Sequence, residues 1–322
     1  MGFLDRKVKD LYQYTPELTA PEDLDSFWNR TLEQAGQVTV PAKRQLISTP
    51  MRGVQAYQVT YQGYADTPVN GSFLVPSLWN EERFPCVIQL HGYTGSSLLP
   101  EHYAPWLLAG IAVFAIDIRG QAGGTGDLLP QETGMAKGWI TKGIDDKDTC
   151  YYKAISVDCL RAIDWVAEQP EVDTARIGVA GGSQGGGLAM LMSALSDKLA
   201  FAIADIPNMC HMDWGIFNST GSLTEAADYV SRFPDKWEAV TKTLSYFDNM
   251  NLAHRIRIPI LVSVSLKDTV CMPETVFAAY NRITSEKQLH IYPFRGHSTG
   301  DKHLRKILEF TLAQCDTGKD NS

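Results

Sequence analysis

One serine enclosed by glycines constrains this chain more than any other feature. The segment reads Gly181-Gly-Ser-Gln-Gly-Gly186, and it lies between a short apolar run at 176–180 and a helical run at 187–195. Glycines on both sides of a tight strand-to-helix turn are typical of strained backbone, where neighbouring segments pass too close for a Cβ. The N–H groups of the following helix would point at Ser183 and favour negative charge there. The segment therefore predicts a serine nucleophile at the end of a buried strand.

A glycine-rich turn of this kind can also bind a phosphate, or bind nothing. No Lys-Ser/Thr pair follows the last glycine, so the segment is not a Walker loop. It also lacks the full G-x-G-x-x-G spacing of dinucleotide sites. Since G-x-S-x-G occurs by chance in many chains, the nucleophile interpretation depends on whether partners for the serine follow in the right order.

The composition is that of an ordinary soluble globular chain. Its 322 residues, of which 44% are hydrophobic and 20% charged, can bury one large core or two modest ones. The net charge of −8 and the absence of a long Lys/Arg cluster argue against nucleic acid as a partner. No apolar stretch is long enough to span a membrane. The first ten residues show no apolar signal region and no cleavage site, so we expect a cytoplasmic protein.

The cysteines indicate no covalent or metal framework. All six are scattered along the chain, and none forms a C-x-x-C pair. They predict neither a disulfide framework nor a zinc site, and Cys86 and Cys159 lie in apolar runs typical of core residues. We therefore expect no metal and no organic cofactor.

From residue 84 onward, short apolar runs alternate with helical segments. The clearest helical segment is 152–169, which has apolar residues at helical spacing. This alternation predicts an α/β fold with a mostly parallel sheet and helices on both faces. The predicted strands are 86–90, 111–116, 177–180, 201–204, 258–264 and 289–292.

Three parts of the chain depart from this alternation. Residues 1–40 are polar with a helical pattern and predict an N-terminal helical extension, whereas residues 45–78 alternate like antiparallel edge strands. Residues 210–256 are charged, aromatic and helical, and predict a helical insertion near the mouth of the site. Because no repeat or low-complexity linker is present, we interpret residues 1–322 as a single domain.

Two downstream residues are candidate partners for the serine. A serine hydroxyl is a weak nucleophile and needs a base within hydrogen-bond reach and an acid that orients the base. In the α/β-hydrolase fold these follow in the chain order Ser, Asp/Glu, His. Asp268 follows the strand 258–264, and His297 follows the last predicted strand. The order predicts Ser183, Asp268 and His297 as catalytic residues, although Asp268 could equally cap the helix that begins near Pro273.

An oxyanion needs two backbone N–H donors beside the nucleophile. In this fold one belongs to the residue after the serine, here Gln184, and the other to the loop after an early strand. His91-Gly92 follows the strand 86–90, so we predict the N–H of Tyr93 as the second donor. The other interpretation of His91-Gly92 is a simple turn that ends a strand. Among the remaining histidines, His303 lies in a C-terminal helical segment and is expected at the surface or in packing.

Several motifs together resemble one known family. They are Arg119-Gly-Gln121, the serine segment, His91-Gly-Tyr-Thr-Gly95, Asp268 with the residues up to Tyr280, and Phe27-Trp28 in the N-terminal helix. With these, nearly the whole chain resembles carbohydrate esterase family 7, the acetyl xylan esterases and cephalosporin-C deacetylases. The resemblance implies a serine esterase that removes acetyl groups from small substrates such as xylo-oligosaccharides, other acetylated sugars or cephalosporin C.

The resemblance also implies roles for individual residues. It gives Ser183 as nucleophile, Asp268 as orienting acid, His297 as general base, and Tyr93 and Gln184 as oxyanion donors. It implies a small acyl pocket closed by the segment 205–211 with Pro207, and ring-like hexamers whose sites face an inner cavity. The residues that match its structural signature, and are expected to support the site without touching substrate, are Arg119, Gly120, Gln121, His91 and Gly92.

Two positions depart from the family pattern. Ser298 follows His297 where the family usually has glutamate, so the hydrogen bonding around His297 is open. The glycine-rich segment 122–127 also differs from the usual end of the Arg-Gly-Gln signature, with no consequence that the sequence reveals.

Other functions remain open from the residues alone. An exopeptidase or a general short-chain carboxylesterase of the same fold would share the serine, the acid and the base. A peptidase needs acidic groups that hold a free α-amino terminus, for which Glu225 and Asp228 are candidates, although such a pair more often forms a solvated helix face. A catalytically inert binding protein of the same fold is the third alternative.

Overall fold

The structure is a computed structural model that describes residues 2–36, 42–131 and 137–316. Residues 37–40 of the predicted N-terminal extension lie outside the described residues. In these ranges nine strands form one sheet. The strands are β1 Ala42–Ile47, β2 Val54–Gln62, β3 Pro68–Pro76, β4 Phe84–Leu90, β5 Ala112–Ile116, β6 Val172–Gly182, β7 Phe201–Asp205, β8 Ile260–Ser265 and β9 Lys287–Tyr292.

The sheet has an antiparallel start and a parallel remainder. Its order is β1-β2-β3-β5-β4-β6-β7-β8-β9. Strands β1, β2 and β3 pair antiparallel, β3 pairs antiparallel with β5, and every later pair is parallel. All six predicted apolar runs lie on strands of the parallel part, and the antiparallel strands fall where 45–78 predicted them. The α/β-hydrolase architecture is therefore confirmed.

Helices cover both faces of the sheet. No described helix is long and apolar enough to cross a membrane. The α-helices in the described residues are α1 Phe3–Tyr12, α2 Leu24–Gly36, α3 Ala104–Leu108, α4 Tyr151–Ala167, α5 Gln184–Leu195, α6 Met212–Asn218, α7 Leu223–Arg232, α8 Trp237–Ser245, α9 Asn249–Leu252, α10 Pro273–Tyr280 and α11 His303–Asp316.

Strand β5 shows how two cores meet at the sheet. All five of its residues are buried. Phe114 packs in the apolar cluster that contains α4 and α5, whereas its neighbour Val113 packs in the cluster that contains α3 and α11. Because successive side chains of a strand point to opposite faces, a strand covered on both faces is apolar throughout instead of alternating.

Helix α2 packs against residues of the predicted insertion that follow α8. Phe27 and Trp28 on α2 are buried, and both rings lie edge-on to Phe247, which follows α8. The Trp28 indole N–H donates to the carbonyl of Tyr246 at 2.9 Å. Residues 212–252 hold α6 to α9, so the 210–256 segment is helical as predicted.

Candidate active site

Ser183 lies in the turn between β6, which ends at Gly182, and α5, which begins at Gln184. Its φ of 56° and ψ of −119° are strained for a residue with a side chain. A Cβ on Gly185 would overlap the carbonyl of Leu90 on the neighbouring strand. The glycines therefore allow a turn sharp enough to present the serine hydroxyl above the sheet edge.

Three backbone hydrogen bonds hold the strained turn in place. The Ser183 N–H donates to the carbonyl of Asp205 at 2.9 Å, and the Ser183 carbonyl accepts from the N–H groups of Gly187 and Asn208, each at 2.9 Å. The turn is thus fixed by its own helix and by the segment that follows β7, so the surroundings and not the serine determine its conformation.

The hydroxyl of Ser183, the ring of His297 and the carboxylate of Asp268 form one hydrogen-bonded row. His297 Nε2 lies 3.0 Å from Ser183 Oγ, and His297 Nδ1 lies 2.8 Å from Asp268 Oδ2. The Asp268 side chain is fully buried, whereas the His297 side chain is 30% exposed. An imidazole held between a buried carboxylate and a hydroxyl can take the hydroxyl proton and return it.

Asp268 also stabilises the turn before α10. Its second oxygen, Oδ1, accepts from the N–H groups of Val270 at 2.8 Å and Cys271 at 3.0 Å. The two interpretations of Asp268 from the sequence, an orienting acid and a local turn residue, are thus compatible, because each uses a different carboxylate oxygen.

The loop that carries His297 is held from the Asp268 side. The Ser265 hydroxyl donates to the carbonyl of Ser298 at 2.8 Å, and the N–H of Lys267 donates to the carbonyl of Arg295 at 3.1 Å. The Ser298 side chain that replaces the family's usual glutamate is exposed, and its backbone carries the contact.

A buried thiol lies next to the serine, and no motif in the sequence indicated it. Cys271 Sγ is 3.9 Å from Ser183 Oγ. Burial, with a smaller contribution from Asp268, raises the pKa of the Cys271 thiol well above its usual value. All six cysteines are buried, and none of them forms a disulfide.

The two predicted oxyanion donors flank the serine. Gln184 is the first residue of α5, and Gly92 is so near that a Cβ on it would lie 3.6 Å from Ser183 Cβ. Within the described residues, the backbone N–H groups of Tyr93 and Gln184 have no hydrogen-bond acceptor. Two unpaired donors beside a hydroxyl can stabilise an oxyanion that forms there.

The Tyr93 side chain connects the loop after β4 to the helical insertion. Its hydroxyl donates to Glu225 Oε2 at 2.5 Å and accepts from the Trp139 N–H at 3.0 Å. Burial and the Glu225 carboxylate raise the pKa of the Tyr93 phenol well above its usual value. Burial also raises the pKa of Glu225. Asp228, its partner in the exopeptidase hypothesis, is exposed and lies 4.0 Å from Lys137.

His91 joins the loops after β4 and β5. Its Nε2 accepts from the Ile118 N–H at 2.9 Å, so its proton is on Nδ1, which donates to the Gly92 carbonyl at 2.8 Å. Burial lowers the pKa of His91, which favours this neutral form. Its ring fixes the start of the loop that carries Tyr93 and does not contact the serine in this arrangement.

Arg119 is fully buried and connects three parts of the chain. Its guanidinium donates to both carboxylate oxygens of Asp158 on α4, at 2.6 and 2.7 Å. It also donates to the Tyr64 carbonyl at 2.8 Å and to the Thr67 hydroxyl at 3.0 Å. These contacts hold the connection between β2 and β3 against α4.

Gln121 links the two sides of the oxyanion region. Its Oε1 accepts from the Thr94 N–H at 2.8 Å, and its Nε2 donates to the Tyr151 hydroxyl at 2.9 Å and to Gln184 Oε1 at 3.2 Å. Gly120 before it has a φ of +73°, and a Cβ there would lie 2.9 Å from the Trp139 ring. The signature residues therefore position loops around the site.

The glycine-rich segment 122–127 folds around a carboxylate. Asp117 accepts from the N–H of Gly124 at 2.8 Å and from the N–H of Ser97 at 2.6 Å. A Cβ on Gly123 would overlap the Asp117 carboxyl group. The segment also lines a cavity of about 890 Å³ beside Gln121.

Pro207 lies in the buried segment between β7 and α6. Its neighbour Asn208 donates its N–H to the Ser183 carbonyl, and the Asn208 side chain bonds the Ser222 hydroxyl at 3.2 Å. The segment therefore touches the serine turn directly. In the described residues, no group of three or more His, Cys, Asp or Glu side chains could hold a metal ion.

His303 is buried and hydrogen-bonded to two polar side chains. The helical pattern of its segment did not reveal these contacts. His303 is 2% exposed, and both ring nitrogens are hydrogen-bonded, to Asp205 and to Tyr292. No spacing rule in the sequence connects these three residues, which lie on β7, at the end of β9 and at the start of α11.

The sheet order and the sharp serine turn place the chain among the α/β-hydrolases. The family model described as acetyl xylan esterase (AXE1) matches residues 1–314. An acetyl xylan esterase from Paenibacillus sp. R4 is 35% identical, with a TM-score of 0.92 over 97% of this chain and 99% of that one. Acetyl xylan esterase 1 from Thermoanaerobacterium sp. JW/SL YS485 is 31% identical, with a TM-score of 0.89 over 98% and 99% of the two chains.

A third relative is the acetyl esterase Axe7A of Xylanibacter ruminicola, which is 27% identical over 95% of this chain and 73% of its own length. The chain belongs to the acetyl xylan esterase family, and it is a carboxylic ester hydrolase. The resemblance that its motifs indicated is confirmed.

Proposed function

We propose that the chain is a serine acetylesterase that acts on small acetylated substrates, with Ser183, His297 and Asp268 as its catalytic residues. The unbroken row from the Asp268 carboxylate through the His297 ring to the Ser183 hydroxyl carries this proposal. The names of the relatives support acetylated sugars as the substrate class.

Acylation begins when Ser183 Oγ attacks the ester carbonyl carbon and passes its proton to His297 Nε2. The carbonyl oxygen becomes an oxyanion and accepts from the N–H groups of Tyr93 and Gln184. The buried Asp268 carboxylate stabilises the imidazolium through Nδ1. The C–O bond to the alcohol then breaks, and His297 gives its proton to the leaving oxygen, which leaves acetyl-Ser183.

Deacylation repeats these steps with water. His297 Nε2 takes a proton from water, the oxygen attacks the acetyl carbonyl, and a second oxyanion forms between the same donors. When the bond to Ser183 breaks, His297 returns the proton to Oγ and acetate leaves. Every proton that moves is held by Ser183, by His297 or by the substrates, so the reaction needs no further proton donor or acceptor.

Two finer features belong to the same proposal. A short acyl group fits a serine that the buried Cys271 thiol approaches to 3.9 Å, and Pro207 is proposed as a wall of the acyl pocket on the basis of the family resemblance. Cephalosporin C, which carries an acetyl ester, is proposed as an accepted substrate on the same basis. Each methylene added to the acyl group must find room in the pocket.

A hexamer and a cytoplasmic location are further proposals. The hexamer rests on the family resemblance, and the location rests on six cysteines that form no disulfide. Sedimentation or light scattering would report the mass of six 35.7 kDa chains if the hexamer forms. A single-chain mass would contradict it.

The experiment that tests the function is a series of p-nitrophenyl esters from acetate to octanoate, assayed with wild type and Ser183→Ala. We expect a preference for acetate over butyrate and longer chains, acetate release from acetylated xylo-oligosaccharides, and no activity in the variant. Activity in Ser183→Ala would contradict the assignment. A wild-type Ser183 that reacts with neither ester nor fluorophosphonate would favour an inert binding protein.

A further inference from the structure

A hydrogen bond closes the loop that carries His297. This loop, residues 293–302, connects β9 to α11, and the residues at its two ends touch each other. The hydroxyl of Tyr292, the last residue of β9, lies 2.6 Å from Nδ1 of His303, the first residue of α11. Within the loop, Phe294 is 83% exposed and the next four residues are exposed as well. The middle of the loop is therefore exposed to solvent, whereas its two ends are joined by a hydrogen bond.

The same histidine fastens the closed loop to the sheet. His303 Nε2 lies 2.5 Å from Asp205 Oδ1 at the end of β7, and the Ser263 hydroxyl donates to that oxygen at 2.9 Å. With Tyr292 donating to Nδ1, the ring carries its proton on Nε2 and donates it to the carboxylate. Both ring nitrogens are thus satisfied, although the His303 side chain is almost completely buried.

Asp205 connects this cluster to the nucleophile. Its backbone carbonyl accepts from the Ser183 N–H at 2.9 Å, while its side chain holds His303. One residue therefore binds the serine turn through its backbone and the histidine loop through its side chain. We call Asp205, Tyr292 and His303 together the loop clasp.

We propose that the loop clasp positions His297 Nε2 within hydrogen-bond distance of Ser183 Oγ. This role rests on the proposed function, and its three members are positioning residues because none touches the reacting atoms. Catalytic geometry tolerates little displacement, and a misplacement of about 1 Å can cost about a hundredfold in rate. The loop is exposed over five residues and is held in its middle by bonds to the carbonyls of Arg295 and Ser298, so fixed ends restrict the remaining freedom of its histidine.

The test is a double-mutant cycle on the bond between Tyr292 and His303. Tyr292→Phe removes the hydroxyl alone. His303→Gln keeps an amide that can donate to Asp205 while the acceptor for Tyr292 is displaced. His290→Gln is the matched control, since His290 is on β9 with its ring 5.9 Å from the His303 ring but has no part in the clasp. Measurements are kcat and KM for p-nitrophenyl acetate, the rate of Ser183 labelling by a fluorophosphonate, and Tm.

We expect each single variant to lower kcat and the labelling rate about tenfold, with KM within about twofold of wild type and Tm well above the assay temperature. Because both changes break the same hydrogen bond, kcat of the double variant should be about tenfold, and not a hundredfold, below that of wild type. The control should match wild type.

Wild-type kcat in both single variants would overturn the positioning role. The role would also be overturned if kcat, calculated per Ser183 that can be labelled, equals the wild-type value. The lower activity would then come only from unfolded protein in the sample. If wild type releases no acetate but is still labelled at Ser183, the proposed function fails. The labelling rates of the clasp variants relative to wild type then still decide whether the clasp positions His297. If wild-type Ser183 reacts with neither reagent, the positioning role and the proposed function are both overturned.

Discussion

At the scale of single residues, Asp268 divides its two carboxylate oxygens between different tasks. Oδ2 faces the His297 ring, and Oδ1 accepts two backbone N–H groups of the turn before α10. The turn fixes the direction of the carboxylate, which in turn fixes the ring. A substitution at this position therefore separates the effect on the tautomer of His297 from the effect on the turn.

Asp268→Asn is expected to abolish activity while it preserves the fold. The amide oxygen can still accept from Val270 and Cys271, but the amide N–H₂ then faces His297 Nδ1 and moves the ring proton to Nε2. In that tautomer the ring cannot take the proton of Ser183, and a kcat loss of about 10⁴ follows. Asp268→Ala, which also removes the turn acceptor, should in addition lower the free energy of unfolding by about 1–2 kcal/mol. Wild-type kcat in Asp268→Asn would refute the orientation role.

The native protein is expected to resist thiol reagents. Burial raises the pKa of the Cys150 thiol to about 12 and that of Cys271 well above its usual value, and only the thiolate reacts. Iodoacetamide at pH 8 should leave activity unchanged, although one thiol lies beside Ser183. In guanidinium chloride all six cysteines should react, which serves as the control. Fast inactivation of the native protein would show that the site thiol is accessible.

The serine motif pointed to Ser183, the chain order then pointed to Asp268 and His297, and the structure brings these three together. The order sufficed because each follows an apolar run whose end lies at the same sheet edge. The clasp residues could not be found in this way. The inward direction of His303 depends on how α11 docks against β7 and β9, and helical spacing in the sequence does not encode that docking.

At the scale of elements, helix α7 of the insertion supports the loop after β4. The contact is the Tyr93 hydroxyl on Glu225, with the Trp139 N–H as a second partner. Because the same Tyr93 carries a proposed oxyanion N–H, the insertion is connected to the chemistry through one side chain.

Glu225→Ala is expected to lower kcat about tenfold with little change in KM, because the Tyr93 loop loses its anchor and the oxyanion donor moves. Asp228→Ala is the matched control, because Asp228 lies three residues after Glu225 on α7, is exposed, and is 4.0 Å from an exposed lysine. Steady-state kinetics with p-nitrophenyl acetate measure both. Equal kcat values for the two variants would remove the connection between the insertion and the oxyanion donor.

The strands were predictable because parallel strands covered on both faces are short apolar runs with polar ends. The ends of the strands were harder to predict. Strand β6 begins at Val172, although only residues 177–180 are uniformly apolar. The stretch between β5 and α4 gave no periodic signal, and its described residues, 117–131 and 137–150, form only turns and bends. The side chains of Asp117 and Arg119 hold residues 117–127 of this stretch in place, and no periodicity in the sequence reveals those contacts.

At the scale of the whole molecule, Arg119 joins the antiparallel start of the sheet to the parallel remainder. Its guanidinium contacts the connection between β2 and β3, the carboxylate of Asp158 on α4, and Asp127 at 3.4 Å at the end of the glycine-rich segment. A planar group with five donors can serve all these acceptors at once, whereas an ammonium group cannot.

Arg119→Lys is therefore expected to lower the free energy of unfolding by about 2 kcal/mol, and Arg119→Ala by roughly 3–5 kcal/mol, because Asp158 is left buried without its partner. The control is Arg44→Lys, whose partner Glu171 is partly exposed, and which should cost less than about 1 kcal/mol. Urea unfolding followed by tryptophan fluorescence measures all three. Arg44 also binds both carboxylate oxygens of its partner, so the two pairs differ in burial. An Arg119→Lys variant that loses no more stability than Arg44→Lys would show that burial of the bidentate pair has no effect.

The Trp28 indole and the carbonyl it binds are 218 positions apart in the chain. A ribosome makes the first of them long before the second, so α2 lacks the part of its docking surface that follows α8 through most of translation. The rings of Phe27 and Trp28 lack their contact with Phe247 until the residues after α8 leave the exit tunnel, and during that interval the nascent chain is most exposed to chaperones and to aggregation.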